Sequence, residues 1–324
     1  FDSGATRPLR FRREMLTRLE LALTRWEGEL LEALKADLNK SPYEGYMSEL
    51  GPTLAELRFA RGHLKKWARP VRHPAPLSQF PSVGTVYREP YGVSLILAPW
   101  NYPLFLTLAP LVSAIAAGST AVVKPGEDAP ASARALAEVL GRVFPPEYIT
   151  VAEGGREEAE ALVDKPFDVI FFTGYYPEAG MLLRQKKEMG WDVPMMGGDA
   201  ANHQDLVKIA GPEAAAGYFF VSPPLPQDMD TAEAKNFLKA FKDRYKTVPV
   251  SVWAVLAGDA YKVLEAAIAK GNDDPEKIAA WLKQLKDLPT LSGKMGFDEK
   301  GDRVGDFYRI YKVDNAGKFE LQAR

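Results

Sequence analysis

The chain contains no cysteine in 324 residues. Disulfides, thiolate metal sites and a cysteine nucleophile are thereby excluded within it. Charge of one sign is also lacking: 41 Lys and Arg stand against 43 Asp and Glu, a net −2. Bulk electrostatics therefore draws the chain neither to nucleic acid nor to an anionic membrane. No apolar run reaches the roughly 18 residues of a membrane helix; the longest, residues 104–117, stops at Gly118. No charged-then-apolar leader stands at the start, which begins at Phe1. A soluble chain without an export signal is expected, and its compartment is unknown. Internal repeats and low-complexity tracts are missing as well. What remains is 46% hydrophobic and 26% charged residues, the balance of a globular chain long enough for two ordinary domains.

Periodicity organises the chain. Leu16, Leu19, Leu23, Trp26, Leu30 and Leu34 recur at helical spacing, predicting helix over 6–39. A second helix is expected over 44–69. Pro70, Pro74, Pro76 and Pro81 predict an extended connector over 70–83. From there a strand beginning at "TVYRE" and a turn at Pro90–Gly92 are expected, and strands and helices then alternate: "VSLILA", helix 104–117, "STAVVKP", helix 130–143, "YITVAE" and "FDVIFFT". Such alternation predicts parallel βαβ units with helices on both sheet faces. It continues through helix 176–190, "VPMMGG", helix 204–210, "AGYFFVSP", helix 231–246, a helix from Trp253 and helix 275–287. The last stretch reads as an antiparallel hairpin turning at Asn315–Ala316–Gly317. The expected fold class is α/β: a parallel sheet flanked by helices, an N-terminal helical segment and a small C-terminal hairpin.

Several residues sit where such sheets bind ligands, just past the carboxyl ends of strands. Asn101 ends one strand loop and offers an amide donor to an oxyanion, or is a turn residue before Tyr102–Pro103. Lys124 follows an apolar strand and Glu127 lies three residues on; they can meet sugar hydroxyls or phosphate, or form a solvated loop. Tyr175 offers a ring to an ammonium group, or packs at the sheet edge. Asp199 offers a charge-assisted hydrogen bond, or turns the chain beside Gly197–Gly198. His203 reads as a surface residue, and Trp253 and Trp281 as packing residues.

The strings "NKSPYEGYMSELGPTLAE", "GTVYREPYGVSLILAPWNYP", "STAVVKPGE" and "FDVIFFTG" together resemble the aldehyde dehydrogenase superfamily, in its fatty-aldehyde-type branch, over residues 1–174. The resemblance implies that Asn101 is an oxyanion donor. It implies that Lys124 and Glu127 hold the adenosine ribose of NAD or NADP, and that Gly174 belongs to the cofactor loop. The likeness stops there. Tyr175–Tyr176–Pro177 replaces the expected Ser and Gly, "MMGGDA" replaces the "LELGG" context of the family's general-base glutamate, and no nucleophilic cysteine exists. Asn101 would then be vestigial.

The strings "GYYPEAGMLLRQKKEMGWDVPMMGGDAAN" and "GKMGFDEKGDRVGDFYRIYKV" resemble periplasmic solute-binding proteins of the branched-chain amino-acid type, over residues 174–324. That resemblance implies that Tyr175 packs on a ligand and that Asp199 pairs with its α-ammonium. The order of the two likenesses implies a recombined or engineered chimera joined near Gly174. The interval to Gly197 suits one strand–helix–strand step in either family. The expected organisation is 1–83 helices and connector, 84–174 an NAD(P)-binding βαβ region, and 175–324 a binding-protein-like α/β region. Three readings follow: a composite without a complete active site, an NAD(P)-dependent aldehyde dehydrogenase-like protein, or an amino-acid receptor of an ABC transporter. The expected partner is a small molecule, nicotinamide dinucleotide or aliphatic amino acid, with no metal, nucleic acid or membrane insertion.

Overall fold

A computed structural model describes residues 1–76, 78, 81–163, 165–270, 274–299, 301–305 and 307–322. They divide into two compact units: residues 1–174 with 186–196, and residues 175–185 with 197–324.

The first unit opens with α1 (Leu9–Arg25) and α2 (Glu27–Leu38). The single helix expected over 6–39 is therefore two. Trp26, at φ −103° and ψ 26°, leaves the helical region, and Gly28 lowers the propensity to continue. The leucine stripe is buried on both sides of the break: Leu16, Leu19, Leu23, Leu30 and Leu34 are fully covered. After α3 (Pro42–Gly45), residues Tyr46–Leu50 form a π-helical turn that runs into α4 (Gly51–Trp67).

The expected extended connector is instead a small ladder. β1 (Val71–Pro74) pairs antiparallel with β2 (Val83–Val86), Val71 opposite Val86. The prolines sit at the ladder's ends and in the connection, where no ladder N–H is needed. All eight paired residues are exposed. Pro76 and Pro81 fall in that connection; residues 77, 79 and 80 lie outside the described residues.

The sheet then builds by parallel pairing. β3 (Val93–Leu97) lies between β4 (Thr120–Lys124) and β6 (Val169–Phe172), and β5 (Ile149–Val151) pairs with β4. The crossovers are α5 (Phe105–Ala117), α6 (Pro130–Val143) and a short α7 (Arg156–Val163). Periodicity alone missed α7, which is only 8 residues long. Beyond β6, α8 (Tyr176–Glu188) and β7 (Met195–Gly197) straddle the division between the units. Ile170 N–H donates to Pro194 O at 2.9 Å, which ties the segment before β7 to β6. Ile96, Ala121, Val123 and Ile149 pack with Leu108, Leu111, Leu136 and Leu140 in one apolar cluster that also takes in α1, α2 and α4.

Apolar α5, "FLTLAPLVSAIAA", carries no capping side chain of its own. Both its ends are satisfied from elsewhere. At the N-terminus, Glu49 Oε2 accepts from Leu104 N–H at 2.8 Å and Phe105 N–H at 3.3 Å. At the C-terminus, Gly118 takes φ 95°, and its missing side chain leaves room for the Arg12 guanidinium. Arg12 donates to Ala116 O at 3.3 Å and to Thr6 O at 3.2 Å. A carboxylate at the positive end and a guanidinium at the negative end both complement the helix dipole.

The second unit contains α9 (Asp205–Ala210), α10 (Pro212–Ala215), β8 (Phe219–Ser222), α11 (Ala232–Tyr245), α12 (Trp253–Ala269) and α13 (Pro275–Leu282). β9 (Leu288–Thr290) and β10 (Gly293–Met295) form a hairpin absent from the sequence expectation; α13 stops at Leu282, short of the helix expected over 275–287, and β9 begins directly after that span. β11 (Arg309–Val313) pairs antiparallel with β8 and with β12 (Phe319–Leu321). The turn falls where the sequence indicates: Gly317 takes φ 78°, and Asp314 Oδ1 accepts from Ala316 and Lys318 N–H. Aromatic rings fill this sheet's core, with Phe220 at 5.4 Å from Tyr311 and 4.8 Å from Phe319.

No helix among the described residues is long and apolar enough to cross a membrane.

Candidate functional sites, one in each unit

In the first unit, Lys124 at the end of β4 and Asn101 and Glu127 in the loops after β3 and β4 lie at the carboxyl edge of the parallel sheet. The loop carrying Asn101 is pinned from below. Lys40 pairs with fully buried Glu49 at 2.6 Å, donates to Asn101 O at 3.3 Å and lies 4.1 Å from the centre of the Tyr102 ring. One carboxylate thus serves a cation and the start of α5 together, which fixes the Asn101 turn between them. The π-helical turn carries Glu49, and such turns re-aim a side chain that regular spacing would place elsewhere.

Lys124 ends β4 and is almost wholly buried. Its Nζ donates to Pro125 O at 2.9 Å and Gly154 O at 2.7 Å. Burial lowers its pKa, and the nearby Glu127 and Glu158 carboxylates act in the opposite direction. The Glu127 carboxylate lies against Gly155, where any Cβ would collide with it. Gly155 N–H donates to Glu158 Oε2 at 2.7 Å. That bond, with the Glu158 residue's own N–H, holds the Glu158 carboxyl below its ordinary range. Lys124 and Glu127 therefore share one rim with the Gly154–Gly155 turn. An ammonium has three donors and two here meet main-chain carbonyls. A cation and an acceptor side by side suit a vicinal diol. Gly126 lets this loop lie against the preceding one: a Cβ there would stand 2.9 Å from Pro99 C and Trp100 N.

Gly174 follows β6 and is buried, with the Phe172 ring filling the space a side chain would take. Thr173 Oγ1 donates to Leu97 O at 3.2 Å and Leu106 O at 3.3 Å, tying β6's end to β3 and α5.

In the second unit, Tyr175 is half exposed just before α8. Asp199 opens the 3-10 turn Asp199–Ala201 after β7. Its carboxyl is pushed up by burial, opposed by its own and Ala200's backbone N–H groups. The Tyr308 hydroxyl is pushed up as well, by burial first and then by the Asp199 charge. This tyrosine is a neighbour the sequence did not single out. His203 is not simply a surface residue: its ring stacks on Tyr176 at 4.3 Å, and its Nδ1 accepts from Asp205 N–H at 3.1 Å. Trp281 packs on the small cluster of Val263, Leu285 and Met295. Trp253, by contrast, is half exposed on α12 rather than packed.

Sequence reasoning named the rim residues and missed what holds them: Lys40, Glu49, Gly154, Gly155 and Glu158. "AEGGREE" carried a readable signal, a glycine pair directly after a strand. Glu49 carried a weaker one, a lone acid two residues before a Gly–Pro helix start. Among the described residues no His/Cys/Asp/Glu group could hold a metal ion. A cleft of about 940 Å³ between the end of α4 and the β1–β2 ladder contains none of the named residues. It is lined by Lys66, Arg69, Arg72 and Arg88 with Trp67 and Tyr87.

The folds and rims described define an α/β chain with the marks of two families. It belongs to the aldehyde dehydrogenase family, whose profile matches residues 1–198, and to the periplasmic binding protein family, whose profile matches residues 114–318. The two matches overlap over residues 114–198. Among curated proteins, a 4,4'-diaponeurosporen-aldehyde dehydrogenase of Staphylococcus aureus is 38% identical over 227 residues, 68% of this chain and 49% of that protein. Mouse aldehyde dehydrogenase family 3 member B1 is 41% identical over 54% of this chain and 37% of its own length. The chain thus spans about half or less of these relatives. A substrate-bound structure of Staphylococcus aureus AldH matches with TM-score 0.58 and 40% identity, over 61% of this chain and 43% of that one. The leucine-binding protein LivK of Thermotoga maritima shares the fold, at TM-score 0.53 and 22% identity, over 71% of this chain and 59% of its own. Both resemblances read from the sequence, and the α/β class, are therefore correct.

Proposed function

We propose that these 324 residues form a composite of two pocket edges, joined near Gly174, without a complete active site in either. At most they retain residual binding of NAD(P) or of an aliphatic amino acid. One observation carries the reading: the chain has no cysteine. Aldehyde oxidation in the family to which residues 1–198 belong begins with thiolate attack, and no other side chain here matches that role.

The residues fit only part of a dinucleotide. Lys124 and Glu127, sharing a rim with Gly154–Gly155, would hold the adenosine ribose, and the cofactor when bound would supply hydride acceptance. The pyrophosphate side fits poorly, because Phe172 covers Gly174 and Tyr175–Tyr176–Pro177 follows it. Asn101 remains as a donor without the thiohemiacetal it would serve.

A second reading, weak amino-acid binding, is supported by Asp199. Burial disfavours its charged form, and a bound ammonium would relieve that cost. Tyr175 and Tyr308 would then face an aliphatic amino acid.

Titration with NADH, followed by fluorescence, tests the first edge. Binding weaker than millimolar, weakened further in Lys124→Ala, is the expected outcome; tight binding abolished in Lys124→Ala would overturn it. Calorimetry with leucine, isoleucine and valine tests the second. Micromolar binding lost in Asp199→Ala would replace the composite reading with that of a receptor.

A further inference from the structure

The chain's net charge of −2 hides a strongly basic segment. Residues 57–88 contain seven Lys and Arg and no Asp or Glu. Two of the seven have acidic partners: Arg58 and Arg61 both pair with Glu20. Three more answer to the end of α4. Lys65 and Lys66 stand in its last turn, where cations complement the helix dipole, and Arg88 donates to Trp67 O at 2.8 Å. Arg69 and Arg72 have neither role. Among the described residues, Lys66, Arg69, Arg72 and Arg88 meet no carboxylate. All four are exposed, and all four line one cleft.

The fold brings them together from three places. Lys66 and Arg69 come from the end of α4. Arg72 comes from β1, and Thr85, directly opposite it on β2, stands on the same face of the ladder. Arg88 follows β2, and its bond to Trp67 O holds the strand's exit to the helix's end. That bond leaves most of its five N–H donors over. Four like charges so arranged repel one another, and none of the cleft's described lining residues is acidic. A multiply charged anion removes that repulsion. Arg69 and Arg72, which have no other work, offer fork-shaped donor sets that match phosphoryl oxygens. Trp67 and Tyr87 add aromatic rings at the same cleft, and His63 stacks on Trp67 with ring centroids 5.7 Å apart. Size separates a small ligand from a polymer. About 940 Å³ is the volume of a small-molecule site. A ladder strand of four residues spans only about 13 Å, short of a groove that tracks several nucleotides. We infer that this cleft is an anion site for a small ligand carrying more than one phosphoryl group, an oligophosphate or a nucleotide. It shares no residue with the Lys124–Glu127 rim.

Calorimetry of the full chain with inorganic tripolyphosphate and with ATP, both without magnesium, tests this. Sub-millimolar binding is expected at low salt. Affinity should fall as ionic strength rises from about 0.01 to 0.1 M, which shortens the screening length from about 30 to 10 Å. The double variant Arg69→Ala/Arg72→Ala removes two exposed side chains that pair with no described carboxylate. It should therefore fold as before, with an unchanged thermal midpoint, and bind at least about tenfold more weakly. Lys235→Ala/Lys239→Ala removes the same charge from the exposed face of α11 and should bind unchanged. Equal affinity for the two probes fits the site and assigns recognition to the phosphoryl groups alone. Tighter binding of ATP that Tyr87→Ala abolishes fits it as well and adds the ring. Three results would each overturn the proposal: no binding of either probe at millimolar concentration, equal losses in the two double variants, or a short single-stranded DNA held at least about tenfold more tightly than ATP.

Discussion

The two units start their helices differently. In the first, α5 and α6 are capped from far along the chain. Glu49 receives Leu104 and Phe105 N–H, and Asp37 receives Ala131 N–H at 3.0 Å and Ser132 N–H at 2.7 Å. In the second, caps are local: Thr231 accepts from Ala234 N–H at 3.0 Å, and Asp274 from Glu276 N–H at 2.8 Å. Burial follows the same divide. α5 buries seven residues, whereas α11 buries only Ala234 and α13 none. Remote caps bind a helix end to the global fold, so it cannot fray without unfolding its partner segment. Local caps let each helix stand or fray by itself. The first unit is therefore the more cooperative one, and α11 and α13, unlike α12 with its four buried residues, are the soft helices of the second.

The largest expected effect tests that cooperativity. Glu49→Ala leaves Lys40 buried without its ion pair and the start of α5 uncapped. It should destabilise the first unit by about 3 to 5 kcal/mol in urea denaturation. Exchange protection should fall throughout α1, α4 and α5; loss confined to residues 104–106 would break the comparison. A smaller effect belongs to the local cap. Asp274→Ala should cost about 1 kcal/mol, felt as faster exchange in α13 alone. Faster exchange in β8 and β11 as well would show the second unit to be as cooperative as the first.

The smallest effect is a pH slope. Burial raises the Asp199 pKa, so the folded state keeps that proton to higher pH than the unfolded chain. Stability from this group is greatest below the ordinary carboxylate range, and is lost as pH rises through the raised value. Asp199→Asn should flatten that part of the stability–pH curve and raise stability at neutral pH. A steeper slope would mean that the carboxylate is stabilised, not desolvated.

Strand positions were the legible part of the fold, because buried parallel strands such as "VSLIL" and "TAVV" leave continuous apolar runs. The break at Trp26 was not legible: the leucine stripe continues in phase across it, and periodicity carries no mark of a φ/ψ change at one residue. The strand expected from Thr85 overlaps β2, but its partner β1 hid behind prolines that a central strand could not hold and a short edge ladder can. At the rim, Lys124 and Glu127 could be named from position and family likeness. Their partners Gly154 and Gly155 lie across a crossover, and Glu49 reaches Leu104 only through the packing of α4 on α5. No spacing rule connects residues so far apart in sequence. Trp253 was misjudged for a related reason: an apolar helix with two apolar faces shows which residues avoid water, not which face finds a partner.

The central claim, two pocket edges and no complete pocket, meets its most direct test in a turnover assay. Purified chain, NAD and a long-chain aldehyde should give NADH no faster than the protein-free control. Aldehyde-dependent NADH formation that tracks the protein and disappears in Asn101→Ala would contradict the account.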